Sequence, residues 1–274
     1  MVGTLYVVGT PIGNLSDFSP RAVQTLQEVD FIAAEDTRVT QKLLNHFQIK
    51  KSVVSYYQHN LRERGEEILS RIEAGESCAI VTDAGMPCIS DPGEDLVFLC
   101  AQRGISTVVV PGPSAVISAL AVSGLPTARF AFEGFLSTNR KNRMEHLAQI
   151  AGDQHTLIFY EAPHKLVYTL QDMLKALGDR RIALCRELTK LHEEVIRTTF
   201  SGALKLYGDK PPRGEYVLIV EGAPEPEPVR LSLAEAVRRV KELRASGLPV
   251  SEAARQVAKE TGYKKGELYR LALE

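Results

Sequence analysis

Apolar positions along the chain fall into short runs, separated by longer stretches in which apolar residues recur at three- and four-residue spacing. The runs Thr4–Val8, Phe31–Ala34, Cys78–Thr82, Thr107–Val110, Thr156–Tyr160, Ile182–Cys185 and Tyr216–Val220 predict strands. Two of the intervening stretches carry explicit helix punctuation. Ser19 stands as a cap before Pro20 in a first turn, with Val23, Leu26 and Val29 on one face; Ile68, Leu69 and Ile72 precede Gly75 as a stop. Strands alternating with helices predict an α/β architecture with an at least partly parallel sheet and helices over its faces. Pro111-Gly112-Pro113 ends one strand and marks the expected division between an N-terminal α/β domain, residues 1–113, and a second α/β domain, residues 114–223.

Ala223-Pro224-Glu225-Pro226-Glu227-Pro228 follows, and its alternating prolines forbid helix and favour an extended spacer. Beyond it the pattern is wholly helical. Ser232 and Glu235 have the spacing of a capping box, Leu233, Val237, Val240 and Leu243 line one face, and Gly247 and Pro249 stop the helix. Ser251 opens a second helix with Ala254, Val257 and Ala258 inward, Gly262 turns the chain, and a third helix runs from about Lys264 to Leu273. Residues 229–274 thus predict a small helix-turn-helix-like domain with a marginal core.

Composition narrows the class. The chain has 274 residues, 44% hydrophobic and 24% charged, which fits a globular protein rather than a disordered or fibrous one. No apolar run approaches the ~20 residues of a membrane span. The N-terminus enters a strand without a basic region or cleavage site, so the expected location is the cytoplasm. Cys78, Cys88, Cys100 and Cys185 form no C-x-x-C pair, which predicts free thiols and no metal site. The 33 Lys/Arg and 34 Asp/Glu nearly cancel, which excludes a uniformly basic coat, but the balance is uneven. Residues 229–274 hold ten basic and six acidic side chains. Lys264, Lys265 and Arg270, in or beside the last helix with Tyr263 and Tyr269, are the candidates for contacts to a nucleic-acid backbone, or else form an ordinary solvated face.

Three loops after predicted strands can carry chemistry. Gly9-Thr10-Pro11-Ile12-Gly13-Asn14 lets backbone approach a ligand but has neither dinucleotide-binding nor Walker spacing, and Pro11 removes an amide donor. Asp83-Ala84-Gly85-Met86-Pro87-Cys88-Ile89-Ser90-Asp91-Pro92-Gly93 leaves the carboxyl end of a strand, where open α/β sheets bind ligands, and its glycines and prolines imply a fixed shape. Pro111-Gly112-Pro113-Ser114-Ala115 offers small residues at another strand end, or a simple helix entry capped by Ser114.

These loops, together with Ala34-Glu-Asp-Thr-Arg38, Phe159-Tyr-Glu161, Arg186-Glu-Leu-Thr-Lys190 and Gly214-Glu-Tyr-Val-Leu-Ile-Val-Glu-Gly222, resemble the tetrapyrrole-methylase superfamily. Within it they resemble the RsmI-type 16S ribosomal-RNA 2′-O-ribose methyltransferases, over about residues 4–222, and Ser251–Leu273 resembles that group's C-terminal domain. The resemblance implies two α/β domains with S-adenosylmethionine in the cleft between them, usually in a homodimer, and a cytidine of 16S ribosomal RNA in the small ribosomal subunit as acceptor. By motif position, Pro11 and Ile12 would line the cofactor. Asp83, Ala84, Gly85, Met86 and Pro87 would contact it through backbone and the Asp83 side chain, Ser114 and Ala115 would hold its methionine portion, and Tyr160, Leu188 and Tyr216 would close the second-domain side. Where many members read His-Asn-Glu, this chain reads His59-Asn60-Leu61.

Methyl transfer to a ribose hydroxyl calls for in-line orientation and for a group that takes the hydroxyl proton. The candidates are His59, Glu35 and Glu187, with Arg38, Asn60 and Lys190 toward RNA. Each has a bland alternative: His59 can hydrogen-bond locally, Glu35, Asp36 and Arg38 can brace a loop, and Arg186 can pair with Glu187. Glu161, His164 and Lys165 follow another strand end. Two other functions remain open on sequence: a methylase of a corrin or porphyrin precursor, against which the basic tail argues, and a non-enzymatic nucleic-acid-binding regulator that senses a ligand in its α/β part.

Overall fold

The computed structural model describes residues 1–57, 61–208, 210–225 and 231–274. His59, Asn60 and the Pro226–Pro228 part of the expected spacer lie outside the described residues. The chain divides into two units, Met1–Ala223 and Pro224–Glu274.

The first unit opens with β1 (Thr4–Val8), α1 (Pro20–Glu28), β2 (Phe31–Ala34), α2 (Thr37–His46), β3 (Ser52–Ser55), α3 (Leu61–Glu73), β4 (Cys78–Val81), α4 (Glu94–Gln102) and β5 (Ser106–Val110). The five strands form one parallel sheet in the order β3-β2-β4-β1-β5. Leu5, Val7, Phe31, Ala33 and Ile80 pack against α3 and α4, while Val8, Ile32, Ala34, Ala79 and Val81 pack against α1 and α2. Strands covered on both faces have no polar side, which is why the central strands β2 and β4, buried at every position, read as unbroken apolar runs. Ser19 caps α1 by accepting the Ala22 amide, as its place before Pro20 predicts. Because α1 leaves β1 toward one face and α4 leaves β4 toward the other, the chain parts at the carboxyl ends of these neighbouring strands. That is the topological switch point at which open α/β sheets form a crevice.

The second half of the unit contains α5 (Ala115–Ser123), β6 (Phe130–Phe135), α6 (Arg140–Gln149), β7 (Thr156–Glu161), α7 (Leu166–Leu177), β8 (Arg181–Arg186), β9 (Glu194–Thr199), α8 (Phe200–Gly208) and β10 (Tyr216–Val220). The sheet order is β6-β7-β10-β8-β9, with only β6 and β7 parallel. Leu157, Phe159, Leu184, Tyr216 and Leu218 face α6, α7 and α8. Ile158, Ala183, Cys185, Val217 and Ile219 face α5, and Ile12 from the first half packs onto this same cluster. The two sheets are therefore joined through the loop that follows β1.

Three strands had no counterpart among the predicted runs: β3, β6 and β9. The β4 strand is one residue shorter than the predicted run, ending at Val81, so Thr82 is free to use its hydroxyl beyond the ladder.

In the second unit α9 (Leu233–Ala245), α10 (Val250–Thr261) and α11 (Lys265–Leu273) close over Ala236, Val240, Ala253, Ala254, Val257, Leu268 and Ala272. Six of these seven are valine-sized or smaller and four are alanines on α9, α10 and α11, so the helices approach closely around a thin core. The capping box is formed in both directions: the Glu235 amide donates to Ser232 Oγ at 3.3 Å and the Ser232 amide to Glu235 Oε2 at 2.8 Å. The second helix starts at Val250, directly after Pro249, rather than at Ser251. The Tyr263 hydroxyl donates to the Leu231 carbonyl at 3.0 Å, which assigns that ring to the core rather than to stacking on a ligand; Tyr269 is exposed.

Candidate active site

Backbone contacts hold the loops at the switch point together. The Thr10 amide donates to the Gly85 carbonyl at 2.8 Å, the Gly85 amide returns to Thr10 at 3.1 Å, and the Thr10 hydroxyl reaches the Thr82 carbonyl at 3.1 Å. Gly9 and Gly112 touch: a Cβ built on Gly112 would lie 2.8 Å from Gly9 Cα. The loops after β1, β4 and β5 are thus one assembly.

Backbone strain marks two loops. Among the described residues, five non-glycine positions have left-handed φ, and four of them are Cys88 (70°) and Ser90 (64°) in the loop after β4 and Glu187 (52°) and Thr189 (66°) in the loop after β8. Each costs about 1–3 kcal/mol and persists only where the surroundings force it, a pattern that clusters at ligand sites.

These loops face each other across a cavity of about 290 Å³. The first half contributes Ile12, Glu35, Thr82, Asp83, Ala84, Ser90 and Asp91, and the second half Ala115, Tyr160, Glu187, Leu188, Lys190 and Val217. Tyr160 is held on edge by Phe132 and Phe135, with ring centroids 5.1 and 5.3 Å away. The expected cofactor residues Ile12, Asp83, Ala84, Ala115, Tyr160 and Leu188 line this space, as do Glu35, Glu187 and Lys190.

Several expected contacts lie elsewhere. Gly85 is tied to Thr10, and the positive φ there (93°) turns Met86 into the core beneath the sheet and buries Pro87, so the loop meets the cavity at both ends and not in its middle. Pro11 borders a neighbouring hollow with Leu43 and His46. Ser114 caps α5. Tyr216 reaches the cavity edge, but its ring packs on the helix-covered face against Tyr207, and Val217 is the β10 residue on the Tyr160 side.

The charged motifs resolve into specific pairs. Asp36 caps α2 and binds Arg38 at 2.7 Å; the Arg38 guanidinium holds that carboxyl down at about 2, and the arginine side chain is otherwise 87% exposed. Arg186 pairs with Glu194 at 2.6 Å rather than with Glu187, which pairs with Lys190 at 3.1 Å. Glu161 is buried and accepts from the Thr169 hydroxyl and the Ala162 amide, a structural role at the entry to α7, and His164 is exposed. Glu35 accepts from the Thr82 hydroxyl at 2.6 Å, and Asp83 Oδ1 from the Asp36 amide at 3.2 Å.

Around Glu35 the carboxylates crowd. Burial, then the Glu35 charge, raises the Asp83 carboxyl. The same two causes push Asp91 up to about 6, against an opposing effect of the Thr82 hydroxyl. Burial and then the Asp91 charge push Tyr160 up to about 12. No motif position singles out Asp91; its mark in the sequence is its place before Pro92-Gly93 in a loop of restricted composition, and in the structure it follows the left-handed Ser90.

Comparison with known proteins agrees with this geometry. The family model for tetrapyrrole (corrin/porphyrin) methylases matches residues 4–203, and the model for the RsmI C-terminal HTH domain matches residues 231–274. A protein of Synechocystis named ribosomal RNA small subunit methyltransferase I is 48% identical over 100% of this chain and 98% of its own length. The like-named protein of Halalkalibacterium halodurans is 46% identical over 98% of this chain and 94% of its own. That of Thermotoga maritima is 48% identical, but 99% of it is spanned by 81% of this chain. Among solved structures, a diphthine synthase (TM-score 0.59, 15% identity, 80% of this chain and 89% of that one) and a cobalt precorrin-4 methyltransferase (0.57, 20%, 79% and 94%) share the fold. The chain belongs to the tetrapyrrole methylase family, among the members named ribosomal RNA small subunit methyltransferase I.

Proposed function

We propose that this protein transfers a methyl group from S-adenosylmethionine to the ribose 2′-hydroxyl of a cytidine in 16S ribosomal RNA, working in the cytoplasm as a homodimer. The observation that carries the reading is the cavity at the switch point, closed by the second sheet and framed by two strained loops. Its residues fit the donor. Ile12, Ala84, Ala115 and Leu188 give apolar walls for a flat ring, and the acidic groups Glu35, Asp83, Asp91, Glu161, Glu187 and Glu215 outnumber Arg186 and Lys190, a field that favours a cationic ligand. When bound, S-adenosylmethionine supplies an electrophilic methyl group on a sulfonium. The chain's own contribution is to hold donor and acceptor in line with loops that need no rearrangement, and to receive the acceptor's proton.

Among the described residues no helix is long and apolar enough to cross a membrane. The ribosomal acceptor and the cytidine ribose come from the family resemblance and the relatives' names, and the basic surplus after residue 229 agrees with an RNA partner. Incubation with methyl-labelled cofactor should label assembled small subunits or their RNA, at a ribose resistant to alkaline hydrolysis. Label in a corrin precursor instead would overturn the acceptor, and cofactor binding without turnover on any RNA would favour a regulator. Light scattering tests the dimer.

Asp83→Ala is expected to weaken donor binding about 10- to 100-fold, the size of a lost hydrogen bond to a charged or polar ligand group, with the fold intact. Calorimetry with unchanged affinity would remove Asp83 from the donor site.

A further inference from the structure

The donor cavity shares a wall with a larger one. A second cavity of about 780 Å³ lies beside it, and Glu35, Ser90 and Asp91 line both. The second space is large enough for a nucleoside, and it presents the aromatic rings of Tyr57 and Phe98, the kind of surface on which unstacked bases pack. A group on the partition faces both cavities.

Resting on the methyl-transfer reading above, we propose that the acceptor nucleotide enters through this second cavity and that Asp91 is the general base for its ribose hydroxyl. The step balances. The hydroxyl proton passes to an Asp91 carboxylate oxygen as the freed oxygen pair forms the bond to the methyl carbon. The carbon–sulfur bond breaks with its pair retained on sulfur, and the proton later leaves to solvent. Asp91 suits the role better than its neighbours. Asp83 lines the first cavity without reaching the second, Glu187 is neutralised by Lys190, and Glu35 accepts the Thr82 hydroxyl at 2.6 Å, whereas on Asp91 that hydroxyl acts only behind burial and the Glu35 charge. Ser90 in the left-handed region and Gly93 with φ of 130° fix the turn that carries Asp91 to the partition.

The groups facing Asp91 are Glu35 from the end of β2, Thr82 and Asp83 from the end of β4, Cys88 from its own loop and Tyr160 from β7. Glu94 and Asp95 line the second cavity, and Glu187 and Lys190 line the first. Burial first, and then the Glu35 and Asp83 carboxylates, make Asp91 hold a proton to higher pH than an ordinary aspartate and leave it a stronger base once that proton is lost. A base titrating near the working pH combines the right protonation state with a useful driving force.

The test uses the full chain with Asp91→Asn and Asp91→Glu. The asparagine variant should lose about 10²–10⁴-fold in kcat, the usual contribution of a positioned base, while donor affinity by calorimetry, which loses only one of the several acidic groups around the donor, falls by much less. Wild-type log kcat should rise with pH and level off above about 6, and the glutamate variant should recover part of the rate with a displaced profile. Independently of turnover, the Asp91 carboxyl carbon, assigned by its absence from the asparagine variant, should titrate near 6 in wild-type protein. An asparagine variant with wild-type kcat, a donor affinity that falls in step with rate, or a carboxyl titrating in the ordinary aspartate range would each overturn the proposal. Wild-type protein that leaves small-subunit RNA unlabelled sinks the acceptor reading itself; labelling by wild type and asparagine variant alike sinks only the base.

Discussion

Gly112→Ala is expected to abolish measurable donor binding and to cost about 1–3 kcal/mol of stability, the range for an overpacked interior. The added methyl would meet Gly9 Cα at 2.8 Å and the Gly9 carbonyl carbon and oxygen at 2.9 Å. No side-chain rotation relieves this, because the obstacle is main chain. The strands themselves resist separation: β1 and β5 pair from Thr4↔Ser106 to Val8↔Val110, and the Gly9 amide donates to the Val110 carbonyl at 3.1 Å. The strain therefore passes outward along the β1 loop to Thr10, which is bonded on both sides to Gly85, and from there to the loop bearing Asp83 and Asp91. Calorimetry with S-adenosylmethionine and a urea melt check the two effects separately. Gly152→Ala is the control, since a methyl there meets nothing within 4 Å. A Gly112 variant that binds the donor like wild type would mean that the joined strand tips do not set the site.

The three overlooked strands share a position that, of the predicted ones, only β5 occupies, and its three consecutive valines revealed it. β3, β6 and β9 are all sheet edges. An edge strand is flanked on one side only, so it can alternate or admit polar residues: Ser52-Val-Val-Ser55 is exposed or half-buried throughout, and Glu194-Val-Ile-Arg-Thr-Thr199 contains no fully buried residue. β6 adds a register shift between Phe132 and Gly134. Central strands such as Tyr216–Val220, buried at every position, announce themselves. The helical module was legible for a different reason, since caps and turns are local and Ser232, Glu235 and Gly262 act within a few residues of themselves.

The site was legible as a set of loops but not as a set of contacts. Motif position predicts a continuous contact from Asp83 to Pro87; the structure interrupts it, because Gly85 folds back onto Thr10 and only the ends of the loop reach the cavity. Strand parity decides Tyr216 in the same way: its neighbours in the core are Leu218 and Val220, two and four residues on, so its ring belongs to the opposite face from Val217. The crowding of Glu35, Asp83 and Asp91 is wholly a product of folding, since these residues come together only when the ends of β2 and β4 align in register.

Removal of residues 229–274 is expected to spare donor affinity and to weaken RNA binding about a hundredfold at 0.1 M salt, with a flatter salt dependence. Three phosphate contacts to single-stranded RNA correspond to about two units of slope in log K against log salt, and to about that loss at 0.1 M. Lys264, Lys265 and Arg270 are the three exposed cations at or on α11 from which this figure comes. The cavity at the switch point draws all of its lining from the first unit, and the Thermotoga maritima relative aligns over 221 residues that make up 99% of its length, close to the length of Met1–Ala223. A chain of the first unit's length therefore exists in nature, and the truncated protein should fold. Filter binding at several salt concentrations measures affinity and slope together; equal values with and without the module would refute an RNA-binding role. Replacing the three α11 cations with alanine separates the two ways in which the module could bind. If that variant reproduces the truncation, α11 meets the backbone; if it binds as wild type while the truncation does not, the contact lies elsewhere in the module, where Arg238, Arg239, Lys241 and Arg244 of α9 and Arg255 and Lys259 of α10 are exposed as well.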